Sequence, residues 1–300
     1  MSVHVTVDNF VRAETARMYD GIIAQAGGVN RFVHLRGPVP LDQQTVIRMN
    51  RDTLYSSAVV DLTTKPTLHI PDPGDRYLTV MTPNEDHLIN RVFTEPGDHV
   101  LTEEELGTPW VNLSARILVD PTDPDDVAAV NALQDQLAIT STSTRDYTHP
   151  DYDQASFDET RSHVLALAEG LPDSRYAFGS ADEIEPIRHL LITAAGWGGL
   201  PESEAFYYLE SEPRPAGHYT MMFRDVPVDA FWSVSIYNRD GFFEANPYDA
   251  YSVNSVTATP EADGSVVLDL APEPTGRPNY LHVTDGWNYA TRLYRPRPDV

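Results

Sequence analysis

The feature that most constrains the fold is a series of short strand-like runs that proline, glycine and aspartate separate at regular intervals. Turn sequences such as "NRDGF" and "EADGS" favour hairpins between such runs. The spacing therefore predicts antiparallel β-sandwich architecture. The runs fall at 54–62, 67–70, 76–82, 87–93 and 110–119, and again at 219–223, 231–237, 251–257, 265–270, 280–284 and 289–294.

Helical patterns precede and interrupt the strand-like runs. A first helix is expected after Asp8 and should stop at Gly27 and Gly28. In the middle of the chain, "PTDPDDVAAVNALQDQLAI" offers Asp123 as an N-cap and Pro124 at the first helical position. The glycine- and proline-rich segment "AAGWGGLPESEAFYYLESEPRPAGH" breaks the helical pattern and is expected to be a connector. The expected helices of the middle region lie near 124–139, 156–169 and 181–195.

These patterns predict a mainly β chain with inserted helices, of the α+β class, with two packed antiparallel β-sandwich domains. The first domain is expected over 1–120, with a leading helix. A helical middle and connector follow over 121–216, and the second β-sandwich domain is expected over 217–300.

Composition excludes several classes of function. Lys65 is the only lysine, and it lies in "TTKPT" without a glycine-rich loop, which argues against Schiff-base chemistry and phosphate-loop binding. The chain has no cysteine, so disulfides, thiol nucleophiles and zinc thiolate sites are excluded. The net charge of −24 repels nucleic acid and anionic membranes.

The ten histidines do not form a recognisable metal-binding motif. They are scattered singly, without the HxH or HExxH spacing that places two ligands on one face. We therefore expect no metal and no organic cofactor. No stretch is apolar enough to span a bilayer, and the N-terminus does not resemble a signal peptide. The protein is expected to be soluble and cytoplasmic, with no nucleic-acid or membrane partner, and a homo-oligomer is possible.

One polar stretch directly precedes a strand-like run. In "RMNRDTLYSS", residues Asn50, Arg51 and Asp52 stand at the edge of the predicted core. A structural interpretation pairs Arg51 with Asp52 as a buried ion pair, while Asn50 fixes a loop. A functional interpretation makes Asp52 a general acid or base, Tyr55 a proton or hydrogen-bond donor, and Arg51 an anchor for a carboxylate or oxyanion.

The C-terminal strands supply polar partners for this stretch. Trp232, Val234 and Ile236 alternate with Ser233, Ser235 and Tyr237, which predicts one apolar and one partly polar strand face. Arg292 and Tyr294 are two residues apart and share a face of their strand. Arg292 could bind a substrate carboxylate or pair with Asp52, and each aromatic residue could equally belong to the core.

Several motifs carry a resemblance to known families. The segments "NRDTLYSSAVVDL" and "PDPGDRYLTVMTPNEDH" resemble the family DUF1254, with its N-x-D-T-x-Y and P-D-x-x-x-R-Y patterns. The segments "FWSVSIYNRDGFF", "YSVNS", "DGSVVL" and "NYLHVTDGWNYATRLYRPRP" resemble its usual C-terminal partner, DUF1214. The resemblance implies two β-sandwich domains of jelly-roll type and no established reaction.

The chain departs from the family pattern at one place. Where N-W-L-P is usual, this chain has Asn279, Tyr280, Leu281 and His282. If the segment lines a cavity, its ligand is expected to differ here.

Two classes of function fit the sequence. One is a cofactor-independent small-molecule enzyme, a hydrolase or a proton-transfer enzyme of lyase or cyclase type, acting in a pocket between the two β domains. The other is a non-catalytic protein that binds a small polar or aromatic molecule or a carbohydrate. The expected catalytic residues are Asp52, Tyr55 and Arg51, and the expected substrate-binding residues are Asn50, Trp232, Tyr237, Asn279, Arg292 and Tyr294.

Overall fold

A computed structural model describes residues 2–44 and 47–298. The chain is mostly β, with several antiparallel sheets and a few helices, and none of the sheets in these ranges closes into a barrel. It divides into two compact units. The N-terminal unit comprises Met1–Gly37 and Thr53–Pro201, and the C-terminal unit comprises Pro38–Asp52 and Glu202–Val300.

The N-terminal unit contains all the α-helices of the described residues. They are α1 (Phe10–Ala26), α2 (Glu103–Leu106), α3 (Pro124–Gln134), α4 (Gln154–Ala168) and α5 (Pro186–Gly196). The strands of this unit are β1 (Val33–His34), β2 (Thr53–Asp61), β3 (Thr67–Ile70), β4 (Leu78–Pro83), β5 (Ile89–Phe93), β6 (Gly97–Val100), β7 (Trp110–Leu118) and β8 (Ala138–Thr140).

Two antiparallel sheets form the core of the N-terminal unit. The five-stranded sheet has the order β1-β2-β7-β4-β5, and the three-stranded sheet has the order β6-β3-β8. Leu54 and Leu113 of the first sheet share one hydrophobic cluster with Leu68 and Ile70 of the second. The apolar side chains of both sheets are thus removed from water together, which is the main stabilising contribution of this unit.

Local sequence signals account for the helix ends. Asp123 caps α3 by accepting from the Asp125 N–H, and Pro124 is its first residue, as predicted. Helix α1 ends at Gly27 in the left-handed conformation. Its N-cap is Asn9, so the prediction of Asp8 was one residue early. Helix α5 begins at Pro186, later than predicted, because Pro186 fits the first helical position.

The segment "GWGG" is half-buried and packs against side chains of the N-terminal unit. The Trp197 ring is stacked on His87 with their centroids 5.1 Å apart. A Cβ on Gly199 would lie 2.2 Å from Cε2 of Phe178, so only glycine fits there without movement of the ring. This close packing explains the last glycine of the segment.

The C-terminal unit contains the strands β9 (Ala205–Arg214), β10 (Tyr219–Phe223), β11 (Trp232–Tyr237), β12 (Ser252–Asn254), β13 (Val266–Ala271), β14 (Tyr280–His282) and β15 (Trp287–Tyr294). One sheet has the order β12-β11-β15-β9, and the other has the order β10-β13-β14. All pairs in these sheets are antiparallel except β13 with β14.

Strand β9 corrects the prediction of a connector between the helical middle and the last strands. "AFYYLESEPR" pairs along β15, with Tyr207 opposite Arg292 and Ala205 opposite Tyr294. The flanking glycine and proline residues indicated a loop, but the aromatic residues favour a strand, and pairing with β15 decided the outcome. Of the stretch 121–216, α3, β8, α4 and α5 lie in the N-terminal unit and β9 in the C-terminal unit.

Neither a membrane-spanning helix nor a metal-binding group of side chains is found in residues 2–44 and 47–298. Each described helix is too short or too polar to cross a membrane. In the same residues, no three histidine, aspartate or glutamate side chains are grouped in a way that could hold a metal ion.

Candidate functional site

The two faces of β11 have different environments. Trp232, Val234 and Ile236 belong to the hydrophobic cluster shared with β13 and β14. Because side chains alternate along a strand, Ser233, Ser235 and Tyr237 lie on the opposite face. The predicted division into an apolar and a polar face is therefore confirmed.

Trp232 lies on the apolar face and not with the other predicted binding residues. Its ring stacks on Phe223 of β10 with the centroids 4.3 Å apart, and 5% of the residue is exposed. Packing between the two sheets determines its position, in agreement with the alternative that Trp232 belongs to the core.

The polar face of this sheet is covered by the segment 47–52 of the same unit. Arg292 of β15 is buried and donates from Nη2 to the carbonyl oxygens of Arg48 at 2.7 Å and Met49 at 3.4 Å. Tyr237 donates to the Met49 carbonyl at 2.9 Å. The polar stretch in segment 47–52 is thus attached to the sheet by its backbone as well as by its side chains.

Arg292 also contacts two side chains of β11. Nη1 donates to Ser235 Oγ at 3.1 Å, and Nη2 donates to the Tyr237 hydroxyl at 2.8 Å. Burial lowers the pKa of Arg292, but the fields of Tyr237, Tyr294 and Asp52 outweigh it and raise the pKa overall. Arg292 therefore stays protonated in the interior of the unit.

Asp52 is buried on the same face and is held by β11 and β12. Its Oδ2 accepts from Ser233 Oγ at 2.6 Å, and the nearby side-chain amide of Asn254 also lowers the pKa of the carboxyl. Its Oδ1 is buried without a hydrogen-bond partner among the described residues. Burial raises the pKa of Asp52, and the attraction of Arg292 offsets this only in part.

The predicted ion pairs of Asp52 are absent from the described part of the chain. Neither Arg51 nor Arg292 has a nitrogen within the 4.0 Å of a carboxylate oxygen that defines an ion pair. Arg51 instead places its guanidinium 5.0 Å from the centre of the Tyr251 ring and 5.7 Å from that of Phe243. Cation–π contact takes the place of the expected carboxylate.

Asn50 fixes the geometry of this segment. Its Nδ2 donates to the Tyr294 hydroxyl at 2.9 Å, and its Oδ1 accepts from the Asp52 N–H at 2.7 Å. The Tyr294 ring stacks on Phe231 with the centroids 4.1 Å apart. Asn50, Asp52, Tyr237, Arg292 and Tyr294 of the predicted site are thus joined with Ser233, Ser235 and Asn254 into one polar cluster.

Two predicted site residues lie elsewhere. Tyr55 belongs to β2 of the N-terminal unit, where its ring lies 5.4 Å from the Arg116 guanidinium. Asn279 donates to the carbonyls of Thr259 and Val267, and its Oδ1 accepts from the Thr259 N–H. Asn279 therefore fixes the backbone next to β13, and its amide atoms are used within the fold.

A recess opens at the other end of β11. Its volume is about 260 Å³, including the part open to solvent. Thr284 Oγ1 donates to Glu244 Oε2 at 3.2 Å, and His282 Nδ1 lies 3.2 Å from the Tyr280 hydroxyl. The lining residues are Ile236, Tyr237, Asn238, Glu244, Asn246, Ala250, Tyr251, His282 and Thr284.

Sequence reasoning missed most of these recess residues and the partners of Asp52. Ser233 and Ser235 could have been found, because they alternate with the apolar residues of β11. Asn254 lies in the quoted motif "YSVNS" but carries no local signal of its contact with Asp52. That contact depends on the pairing of β12 with β11, where Ser233 is opposite Asn254.

Comparison with solved structures supports the fold. The VPA0106 protein of Vibrio parahaemolyticus superposes with a TM-score of 0.72 at 18% identity, over 97% of this chain and 93% of that one. A putative uncharacterized protein from Burkholderia cenocepacia has a TM-score of 0.56 at 16% identity, over 97% of this chain and 84% of that one. At these identities the likeness concerns the fold alone. A search of curated proteins gives no match.

Two family models match the chain where the motifs lie. "Protein of unknown function (DUF1254)" matches residues 29–141, and "Protein of unknown function (DUF1214)" matches residues 210–298. The first match contains the strand that follows Asp52, and the second contains Ser233, Asn254 and Arg292. The chain therefore contains a DUF1254 domain followed by a DUF1214 domain, two domains of unknown function.

Proposed function

We propose that the C-terminal unit binds a small hydroxylated molecule, such as a carbohydrate, at the recess at the end of β11, which receives part of the ligand. The observation that carries this proposal is the composition of the recess lining. Tyr237 and Tyr251 line it as buried aromatic residues. The more accessible Asn238, Asn246 and Glu244 supply amide and carboxylate groups, and a few convergent polar groups of this kind orient the ligand in small-molecule sites.

The size of the recess limits the ligand. Its volume of about 260 Å³ includes the part open to solvent, so the recess encloses only part of a ligand. Among the described residues, Glu244 is the only carboxylate in the lining, and its negative charge disfavours an anionic ligand at short range. A neutral molecule that inserts a hydroxyl group and donates to Glu244 fits a shallow recess with this charge.

The proposal can be tested with the ligand that co-purifies with the protein. Mass spectrometry of small molecules released from the full chain would identify it, and calorimetric titration would measure its affinity. Glu244→Gln removes the charge of an exposed carboxylate that lines the recess, and it should weaken binding about tenfold, as expected for the loss of one charge-assisted hydrogen bond. Glu273→Gln, an exposed glutamate outside the lining, is the matched control. Equal affinity in both variants would contradict the proposal.

A second candidate is the cofactor-independent enzyme, a hydrolase or a proton-transfer enzyme with Asp52 as its general acid or base. The observation that favours it is the unpartnered Oδ1 of this buried carboxyl, together with the raised pKa of Asp52. A carboxyl that is harder to ionise can donate a proton closer to neutral pH.

The two candidates differ in what Asp52→Asn changes. The asparagine keeps an oxygen for Ser233 but cannot transfer a proton. If Asp52 is catalytic, conversion of the co-purified molecule should fall by about 10²-fold or more. If the protein is a binding protein, no conversion should be observed with either chain.

We also propose that each unit is a β-sandwich of jelly-roll type. The support for this is that the two sheets of each unit contribute side chains to a shared hydrophobic cluster. An experimental structure in which the strand connections follow two Greek keys in each unit would bear this out. A simple up-and-down order of strands would contradict it.

A further inference from the structure

The guanidinium of Arg48 lacks an anionic partner, although the chain has many more acidic than basic residues. The sequence has 45 acidic and 21 basic residues. Most arginines that the structure describes lie within 4.0 Å of a carboxylate. Within residues 2–44 and 47–298, Arg48 has no such carboxylate, and its Nη2 donates to Ser211 Oγ at 3.0 Å and Asn288 Oδ1 at 3.4 Å.

One donor of Arg48 is unused. Its Nε is buried and has no hydrogen-bond partner among the described residues. A buried N–H of a charged group without an acceptor destabilises the folded chain, and a bound acceptor would remove that cost. The side chain as a whole is partly exposed, so a molecule from solvent can approach the guanidinium.

A second cation lies behind Arg48. The buried Arg292 donates to the Arg48 carbonyl at 2.7 Å, and its charge acts on the Arg48 side chain. Burial lowers the pKa of Arg48 and outweighs the attraction of Tyr237, and the smaller repulsion from Arg292 lowers the pKa further. Both effects disfavour the charged guanidinium, and an anion bound beside it would reverse them.

The backbone holds Arg48 in a conformation that a side chain of this size seldom adopts. Its φ is 52°, in the left-handed region. The Arg48 N–H donates to the Gly241 carbonyl at 2.7 Å, and its own carbonyl accepts from Arg292. These two bonds fix the residue from both sides, and such imposed strain is frequent at binding sites.

From these observations we propose that Arg48 forms an oxyanion-binding site on the C-terminal unit, with Ser211 and Asn288 beside it and Arg292 adding positive charge from behind. The ligand is a small molecule with a phosphate or carboxylate group, since the planar guanidinium matches two oxygens of either group. The site does not depend on the recess, because Arg48 is not one of the recess-lining residues.

The experiment is a calorimetric titration of the full chain with inorganic phosphate and, separately, with succinate. Ionic strength is kept constant with sodium chloride, because exposed charges are screened by salt. Saturable binding of either anion supports the proposal, and the anion that binds more tightly identifies the class of ligand. The absence of saturable binding by both anions overturns it.

Variants locate the binding. Arg48→Gln should weaken the anion about tenfold or more, and Arg48→Lys should weaken it less, because the charge remains while the fork of donors is lost. Arg239→Gln removes an exposed arginine and should leave the affinity unchanged. Equal affinity of Arg48→Gln and the unaltered chain overturns the proposal.

A second measurement does not require any variant to fold. Phenylglyoxal modifies accessible arginines, and peptide mass spectrometry shows which side chains react. Saturating anion should protect Arg48 and leave Arg239 reactive. Modification of Arg48 at the same rate with and without the anion would exclude the site. Failure of this test would leave the recess proposal intact, because that proposal rests on Glu244 and a neutral ligand.

Discussion

Asp52 and Arg292 are buried on the same face of one sheet but bind to different partners. Asp52 accepts from Ser233, which is opposite Arg292 in the strand register, whereas Arg292 donates to Ser235, Tyr237 and the backbone of the covering segment. The cation and the carboxyl act on each other through their fields without a direct bond. Each can therefore be altered separately.

The first prediction concerns the pH dependence that Asp52 contributes. Its pKa is raised in the folded chain, so the unfolded chain loses this proton first. The free energy of unfolding should therefore fall as pH rises through the folded pKa. The stability of the unaltered chain relative to Asp52→Asn should decrease from acid to neutral pH, as measured by denaturant titrations.

Asp52→Ala serves as the comparison for that experiment. It removes the acceptor of Ser233, and it should cost about 1–3 kcal/mol for the buried donor left unsatisfied. If the unaltered chain instead gains stability over Asp52→Asn as pH rises, attraction to Arg292 outweighs burial and the assignment is wrong.

The second prediction concerns the attachment of segment 47–52. Arg292→Lys keeps the charge but cannot reach Ser235, Tyr237 and the two carbonyls together. We expect a loss on the order of 3 kcal/mol in the free energy of unfolding. Amide hydrogen exchange at Arg48 and Asp52 should become faster, and Arg239→Lys, at an exposed position, should change neither quantity. Unchanged exchange in Arg292→Lys would show that other contacts hold the segment.

The third prediction concerns His87, whose ring is fully buried in the N-terminal unit. Its Nε2 accepts from the Gly198 N–H at 2.9 Å, so the proton of the neutral ring is on Nδ1, which lies 2.8 Å from Thr193 Oγ1. Burial, with a smaller effect of His189, lowers the pKa of His87 well below its ordinary value.

Because the folded chain resists protonation of His87, stability should be lost as pH falls below about 6.5, the ordinary pKa of histidine. The slope should reach about 1.4 kcal/mol per pH unit. Denaturant titrations between neutral and mildly acidic pH should show this slope reduced in His87→Gln. The exposed His163→Gln serves as the control. The same slope in all three chains would refute the role of His87.

The fourth prediction concerns Gly199, against which the Phe178 ring packs. Gly199→Ala should destabilise the chain by about 1–3 kcal/mol, as overpacking does, because the ring must move. Gly21→Ala, inside α1 with open space around it, should stabilise the chain by roughly 0.5–1 kcal/mol. Thermal unfolding of both variants provides the test, and a stabilising Gly199→Ala would show that the loop is not packed as described.

Much of the fold could be predicted from local patterns. The alternation from Trp232 to Tyr237 identified the two faces of β11, and Asp123 with Pro124 identified the start of α3. Strand β9 was missed because glycine and proline flank its aromatic residues, and only pairing with β15 makes it a strand. The local sequence determines where most elements begin and end, whereas the choice between a loop and an edge strand depends on a partner that is distant in sequence.

The candidate site was predicted less completely for a related reason. The polar stretch before Thr53 indicated that Asp52 needs partners, but residue types alone could not choose among Arg51, Arg292 and Ser233. The motifs predicted Trp232 and Asn279 as site residues. In the structure Trp232 lies in the hydrophobic cluster between the sheets, and Asn279 forms hydrogen bonds with the backbone. Contacts of this kind are set by register between strands, which a single sequence does not reveal.

The position of residues 38–52 in the C-terminal unit has a consequence for synthesis on the ribosome. Asp52 is translated 181 residues before Ser233, its hydrogen-bond partner. At about 5–20 residues per second, this segment waits roughly 10–40 s for the strand that it covers. Residues 53–201 can collapse during that interval. The segment that ends at Asp52 therefore stays exposed to solvent until the last strands have left the exit tunnel.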